Sequence, residues 1–175
     1  MLETSAMTPS LTLPITPPIT PPIELQAPDI TRWQHSGSGV DWVHVLDSGQ
    51  SGPQLMVQAL THGNEICGAI ALDFLLASGW RPSKGRVTLA FANVAAYQRF
   101  DPADPFASRF VDEDMNRIWA DDALSGPRDS AELRRARALR PFVDAADWLL
   151  DIHSMSSACA PLMVCGTAEI GRAHV

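Results

Sequence analysis

Two histidines and one glutamate are the side chains of this sequence with the clearest chemical capacity. His62 and Glu65 lie three residues apart, where an apolar run gives way to a helical pattern, and His153 ends a second apolar run. Two imidazoles and one carboxylate form a three-ligand set for a zinc ion with an open fourth position. Zinc bound in this way lowers the pKa of its bound water to about 7 and polarises a carbonyl group. These residues therefore predict one Zn²⁺ and hydrolytic chemistry.

The elements that must position these side chains are strands whose carboxyl ends meet at one edge of a sheet. His62 follows a predicted strand and His153 ends another, and ligands collect at the carboxyl ends of strands in an α/β sheet. Glu65 lies in the first turn of a predicted helix, where side chains three residues apart share a face. Asp151 points to the same side of its strand as His153, so we expect it to orient His153 or another polar group of the site.

Spacing alone leaves a simpler interpretation of the same residues open. In that interpretation, His62 and Glu65 only cap the helix, and His153 is a surface residue at a strand end. A second cluster of charged and polar residues, 109–119, favours a functional site instead, because it adds several groups that suit a charged ligand.

Apolar runs and helical patterns alternate along the globular part of the chain, which we expect to begin near Ile30. Strands that alternate with helices favour an α/β domain with a largely parallel or mixed sheet flanked by helices. Ser130 is a suitable N-cap for the second helix, and Asn93 ends the third strand, where it is expected to shape the pocket. The predicted strands are 42–46, 54–60, 86–92 and 148–152, the predicted helices are 65–78 and 130–143, and the long stretch 93–128 has no strong period.

Composition and charge limit the classes of function. The chain has 175 residues, of which 46% are hydrophobic and 19% charged, as is typical of one soluble globular domain. A net charge of −7 without a basic stripe argues against a nucleic-acid partner. No apolar stretch approaches the roughly 20 residues that span a bilayer, and the amino terminus lacks a secretory signal pattern, so no membrane partner is expected. Three cysteines at spacings that fit no disulfide framework favour the cytoplasm.

The first 29 residues differ in composition from the rest of the chain. Half of the 14 prolines lie between residues 8 and 28. The near-repeat 14–22 cannot form a helix, because proline lacks a backbone N–H, and it would also interrupt a sheet ladder. We expect residues 1–29 to be an extended or disordered leader.

Three short motifs occur in a characteristic order, HGNE at 62–65, DMNR at 114–117 and DIH at 151–153. In this order and at these intervals they resemble the succinylglutamate desuccinylase/aspartoacylase group, which belongs with the zinc carboxypeptidases. That group has a His-Gly-Asn-Glu element after a strand, an Asp-x-Asn-Arg element in a long loop and an Asp-x-His element ending a later strand. The resemblance covers roughly residues 40–167.

The resemblance implies a zinc carboxypeptidase-like fold and a role for each motif. Zinc would be held by two imidazoles and one carboxylate, an arginine would polarise the scissile carbonyl and stabilise the oxyanion, and an Asn-Arg pair would hold a carboxylate of the substrate. In this sequence the implied metal ligands are His62, Glu65 and His153, the implied catalytic residue is Arg109, and the implied substrate-binding residues are Asn116 and Arg117.

The chemistry of these side chains is consistent with the implied roles. A guanidinium such as that of Arg117 forms a bidentate pair with a carboxylate, and the amide of Asn116 can donate beside it. An arginine near the metal suits a developing negative charge. An ion pair of Arg117 with Asp112 or Asp114 is the alternative.

The resemblance also predicts that this chain lacks part of the machinery. In the family, the general base that takes a proton from the metal-bound water is a glutamate well beyond the Asp-x-His motif. Only 22 residues follow His153, and Glu169, the sole acidic residue among them, does not match that place. We interpret residues 30–169 as the N-terminal part of a zinc hydrolase catalytic domain that turns over poorly or not at all. Residues 170–175 match a reading frame of a sequencing adapter and are expected to be a non-native tail.

The leading prediction is a zinc-dependent amidohydrolase that cleaves the amide bond of an N-acyl amino acid or a similar small carboxylate. Two alternatives stay open. A zinc carboxypeptidase acting on peptide ends would use similar machinery, and the space around the metal would separate the two. A non-catalytic α/β binding module, whose proline-rich arm docks a partner, would bind no zinc.

Overall fold

One mixed sheet organises the molecule. A computed structural model describes residues 23–155 and 159–164, so most of the predicted leader 1–29 and all of the predicted tail 170–175 lie outside the described residues. Within the described part, four strands form one sheet: β1 Val43–Asp47, β2 Gln54–Ala59, β3 Arg86–Phe91 and β4 Trp148–Ile152. Their order is β1-β3-β2-β4, with β2 parallel to both neighbours and β1 antiparallel to β3. The predicted α/β class with a largely parallel or mixed sheet is confirmed.

The register of the central strands brings their carboxyl ends to one level. Ala59, the last residue of β2, pairs with Phe91 of β3 on one side and with Ile152 of β4 on the other. Chain segments that leave β2 and β4 therefore begin side by side. This is the edge at which His62 and His153 follow their strands.

Two long helices cover the two faces of the sheet. They are α1, Ile66–Ala77, and α4, Ala131–Ala145. Neighbouring residues of β2 point to opposite faces: Val57 packs in the apolar cluster that contains α1, and Met56 packs in the cluster that contains α4. The predicted helices match these elements to within two residues, because apolar residues at helical spacing and a Ser130 N-cap mark them clearly.

The long stretch between β3 and α4 is irregular but packed. It contains two short helices, α2 Val94–Tyr97 and α3 Asp121–Ser125, and two 3₁₀ turns, Pro105–Ser108 and Met115–Arg117; a further 3₁₀ turn, Thr31–Trp33, precedes β1. Met115 and Ile118 are fully buried in the apolar cluster that includes α4. Contacts with α4 therefore hold this stretch in place. Among the described residues, no helix is both long and apolar enough to cross a membrane.

Candidate metal centre

His62, Glu65 and His153 form a compact group, which we call the strand-end cluster. One ligand-type atom from each residue lies within 4.8 Å of the others. Glu65 stands between the two rings: His62 Nδ1 is 2.7 Å from Oε1, and His153 Nδ1 is 2.9 Å from Oε2. The backbone N–H of Ser154 also donates to Oε2, at 3.1 Å. The three predicted ligands are thus brought together, with both Nδ1 atoms turned towards one carboxylate.

The backbone between β2 and α1 turns sharply to deliver these side chains. Leu60 is fully buried with a left-handed backbone angle (φ 63°), a conformation that costs energy for any residue except glycine. At Gly63 an added Cβ would lie 2.4 Å from the carbonyl oxygen of Ser108 and 2.5 Å from the carbonyl carbon of Ala96. The Gly63 N–H donates to the carbonyl of Arg109 at 3.0 Å. Glycine at this position therefore lets the ligand-bearing turn lie directly against the long loop.

The second nitrogen of each imidazole has its own carboxylate partner. Asp151 Oδ2 lies 2.9 Å from His153 Nε2, and Asp114 Oδ1 lies 3.0 Å from His62 Nε2. Histidines that ligate metals usually donate their other N–H to such a group, which fixes the ring and raises its basicity. Asp151 was expected near His153, whereas Asp114 was considered only as an ion-pair partner for Arg117. Its signal in the sequence was the first position of the DMNR motif.

A chain of two hydrogen bonds, from Gln58 to Thr61 and from Thr61 to Asp151, holds the Asp151 carboxylate. The Thr61 hydroxyl donates to Asp151 at 2.8 Å, and the Gln58 amide donates to Thr61 Oγ1 at 2.9 Å. Both residues are almost fully buried, and Gln58 Oε1 has no hydrogen-bond partner within the described part of the chain. Sequence reasoning missed both residues. The polar Gln58 within the apolar run of β2 was the available signal, because a buried polar side chain needs a partner.

The charges of the site are strongly coupled. Burial by itself would raise the pKa of the Glu65 carboxyl, but hydrogen bonds from His153 and His62 outweigh it and lower this pKa to about 2. Hydrogen bonds with Asp151 and Glu65 outweigh burial and raise the pKa of His153 to about 10. Burial likewise would raise the pKa of Asp114, but hydrogen bonds from the Asn116 N–H and His62 lower it. A metal that binds His153 must displace its proton, so metal binding here is coupled to pH.

Arg109 borders the strand-end cluster. Its Nη1 donates to Glu65 Oε1 at 3.2 Å, its Nη2 lies 3.0 Å from His62 Nε2, and Asp114 Oδ2 is 3.9 Å from Nη2. One ring nitrogen cannot accept from Arg109 and donate to Asp114 at the same time. When His62 Nδ1 is free to bind a metal, Nε2 carries the proton and donates to Asp114. In that tautomer Nε2 cannot accept a hydrogen bond from Arg109 Nη2, whereas Nη1 still donates to Glu65 Oε1.

Asn116 and Arg117 belong to the 3₁₀ turn that Asp114 begins. Together with Arg109 they form what we call the loop cluster. The Asp114 carboxylate accepts the Asn116 N–H at 2.9 Å and so caps the turn. Asn116 is half-buried and Arg117 is exposed, and neither side chain has a hydrogen bond or ion pair within residues 23–155 and 159–164. The alternative ion pair of Arg117 with Asp112 or Asp114 is therefore wrong.

Asn93 does not line a pocket as expected. It is 2% exposed, its side-chain NH₂ donates to Glu132 at 2.9 Å, and its side-chain Oδ1 accepts the Ala96 N–H and so caps α2. The predicted position at the end of β3 is correct, but the side chain is buried against Glu132, because the strand-end position alone does not determine which face the side chain takes. Glu132, its buried partner on α4, was not singled out from the sequence at all.

Comparison with known proteins gives consistent results. A sequence profile described as the succinylglutamate desuccinylase/aspartoacylase catalytic domain matches residues 51–174. The chain is 32% identical over 115 residues to a probable aspartoacylase of Parasynechococcus marenigrum (strain WH8102). This alignment covers 63% of the chain and 36% of that protein, so the chain spans about a third of its length.

Solved structures that are similar to this one include the following two. The succinylglutamate desuccinylase from Chromobacterium violaceum superimposes with a TM-score of 0.52 at 23% identity, covering 66% of this chain and 37% of that chain. The succinylglutamate desuccinylase/aspartoacylase from Rhodobacter sphaeroides gives a TM-score of 0.49 at 29% identity, covering 64% and 32%. The similarity to the Chromobacterium violaceum structure shows a shared fold over the matched part of the two chains.

Proposed function

Because this chain belongs to the succinylglutamate desuccinylase/aspartoacylase family, we propose that it is the metal-binding part of a zinc-dependent hydrolase that cleaves the amide bond of an N-acyl amino acid or a similar small carboxylate. The observation that carries the proposal is the strand-end cluster, in which the ligand atoms of His62, Glu65 and His153 lie within 4.8 Å of one another. The cytoplasm is the proposed compartment, in line with the cysteine pattern.

The donor set suits zinc. Two imidazoles and one carboxylate are a common three-ligand combination at catalytic zinc sites. The Nε2 atoms of His62 and His153 already face Asp114 and Asp151, so Nδ1 of each ring is the atom left for the ion. When bound, zinc would supply an activated water and a polarised carbonyl.

The loop cluster supplies the charge complementarity for a small acidic substrate. Arg109 contacts Glu65 and His62. This position supports its proposed role, which is to orient the scissile carbonyl and to stabilise the negative charge that develops on its oxygen. Arg117 and Asn116 have unused donors on the same loop. Together they can bind a carboxylate through charge-assisted hydrogen bonds. The family supports an N-acyl amino acid over a peptide end as the source of that carboxylate.

The first test is the zinc content of the purified, folded 175-residue chain beside that of His153→Ala. We expect about one zinc per chain in the parent and almost none in the variant, because one of three protein ligands is lost. The matched control is His35→Ala, which removes an exposed histidine whose ring lies beside Asp41 and away from the strand-end cluster, and it should keep the metal. A folded parent without zinc would contradict the proposal.

A second test addresses the substrate. The zinc-loaded chain is mixed with acetate, succinate and N-acetylated or N-succinylated amino acids, and binding is measured by calorimetry. We expect carboxylates to bind the parent and to bind Arg117→Ala more weakly. Hydrolysis is then measured with the same acyl amino acids. Equal binding of the carboxylates by both proteins would contradict the proposed role of the loop cluster.

A further inference from the structure

A buried carboxylate on α4 holds the loop that carries the substrate-binding residues. Glu132 is fully buried, and its Oε1 accepts the backbone N–H of Val111 at 2.6 Å. Its Oε2 accepts the N–H of Asp112 at 3.1 Å and that of Glu113 at 3.3 Å. The Asn93 amide donates to Oε1 as well, at 2.9 Å. Four N–H donors, three from the backbone and one from the Asn93 side chain, thus converge on one carboxylate.

Side chains of the loop in turn accept hydrogen bonds from the N-terminus of α4. Asp112 Oδ2 accepts the Ala131 N–H at 2.7 Å, in the first turn of α4. Glu113 Oε1 accepts the hydroxyl of Ser130, the N-cap of α4, at 2.6 Å. Loop and helix end therefore satisfy each other's backbone groups, which otherwise would need water or another partner. The next residue along the loop, Asp114, is the one that contacts His62.

We propose that Glu132 is a positioning residue for this site: by binding the three successive backbone amides 111–113, it fixes Asp114 against His62 and sets the position of Asn116 and Arg117. A buried carboxylate is costly unless it is fully hydrogen-bonded, and here the four donors meet that requirement. The amides that Glu132 binds end at Glu113, and Asp114 is the next residue. Few backbone torsions therefore separate the bound amides from the Asp114 side chain. The part of the inference that concerns zinc rests on the proposed function.

Glu132→Gln is the sharpest variant, because it keeps the size of the side chain and replaces one acceptor oxygen by a donor. The new NH₂ group would face N–H groups, so the hydrogen bonds accepted by one of the two carboxylate oxygens are lost. In the metal-free protein we expect amides 111–113 to exchange with solvent at least about 10-fold faster. The ring nitrogen signals of His62 in NMR spectra should also shift, because Asp114 leaves Nε2.

Arg135→Lys is the matched structural control. Arg135 lies about one turn further along α4, and its guanidinium donates to the carbonyls of Phe91 and Ala92 at the end of β3 rather than to the amides 111–113. This variant should loosen the end of β3 and leave amides 111–113 and the His62 signals unchanged. The same unchanged result in folded Glu132→Gln would overturn the inference.

Zinc affinity tests whether Glu132 acts through Asp114. A general loss of stability would lower zinc affinity whether or not Asp114 is present. Losing a partner of a ligating histidine costs about 10- to 100-fold in metal affinity, and Glu132 acts one step further away, so we expect Glu132→Gln to cost about 3- to 10-fold. In the double variant with Asp114→Asn, the Glu132 effect should vanish, because both changes break the same contact. Additive losses would overturn the role through Asp114. Should the parent bind no zinc, the proposed function fails, while amide exchange and the His62 signals still decide on Glu132.

Discussion

The strand-end cluster and the loop cluster meet at His62 but are fixed in different ways. His62 and Glu65 are 2% and 5% exposed and follow β2, which is hydrogen-bonded to a strand on each side. The Arg109 side chain is 35% exposed and Arg117 is exposed, in a loop with only short helical turns. The sheet therefore sets the ligand positions through its backbone ladder, whereas the loop depends on a few side-chain contacts with α4.

This difference means that metal binding and carboxylate binding should respond to different substitutions. Changes in the strand-end cluster should remove the metal. Changes to Asn116 and Arg117 of the loop cluster should leave the metal bound and weaken the binding of a carboxylate. Asp114 and Arg109 are loop residues that contact His62, so changes at either should affect both metal binding and carboxylate binding.

Removing Glu65 should have the largest effect. Glu65→Ala deletes the carboxylate between the two imidazoles, and the loss of a ligand must exceed the loss of a ligand's partner, so zinc affinity should fall by more than about 100-fold. Competition with a chromophoric chelator measures it. Asp73→Ala, which removes another α1 carboxylate that binds Arg32 and Trp33, should leave zinc affinity unchanged. Retained affinity in folded Glu65→Ala would rule out this cluster as the metal site.

Asp114→Asn tests the link between the two clusters. We expect zinc affinity to fall by about 10- to 100-fold, because His62 Nε2–H loses its anionic acceptor. Asp121→Asn is the control, since Asp121 is an exposed carboxylate whose hydrogen bond goes to Arg140, away from the metal ligands. Equal zinc affinities for the two variants would show that the Asp114 contact does not support the metal.

Arg117→Ala tests the independence of the loop cluster. A charge-assisted hydrogen bond contributes about 1.5–3 kcal/mol, so the affinity for succinate should fall by about 10- to 100-fold while zinc affinity stays within about twofold. Calorimetry of the zinc-loaded protein measures the first quantity and chelator competition the second. Arg99→Ala, which removes an exposed arginine before the loop cluster, is the control. Parallel losses of zinc and succinate would contradict the separation of the clusters.

The pH dependence of the chelator-treated protein should show the coupling within the strand-end cluster. The folded pKa of His153 is raised from 6.5 to about 10, so its stabilising contribution is complete below pH 6.5 and is lost as the pH rises through 10. The folded pKa of Glu65 is lowered from 4.5 to about 2, so its contribution is complete above pH 4.5 and is lost as the pH falls through 2. Stability should therefore be highest between pH 4.5 and 6.5.

Urea unfolding at a series of pH values, with chelator present, measures this profile. Asp151→Asn should flatten the decline above pH 6.5, because Asp151 is the main cause of the raised pKa of His153. A decline of the same size in both proteins would assign it to other groups.

Local pattern was enough to locate the regular elements. The four predicted strands and two predicted helices match the structure to within two residues, because apolar runs and caps are local signals. The antiparallel pairing of β1 with β3 was not predicted, since strand direction in a sheet depends on contacts far apart in sequence. The short helices within 93–128 were missed for the same reason. Val94 and Tyr97 of α2 pack in the apolar cluster that contains α1, and Leu124 of α3 packs in the cluster that contains α4.

The sequence by itself determined the chemical types of the site residues and their place at strand ends, because residue identity and hydrophobic period are written along the chain. It also determined the family, through the order of three motifs. Only the tertiary structure decided that Asp114 contacts His62, that Arg117 has no acidic partner among the described residues, and that Glu132 holds the loop. These contacts join residues 19 or more positions apart. Their formation depends on how α4 and the loop pack on the sheet, which no local pattern encodes.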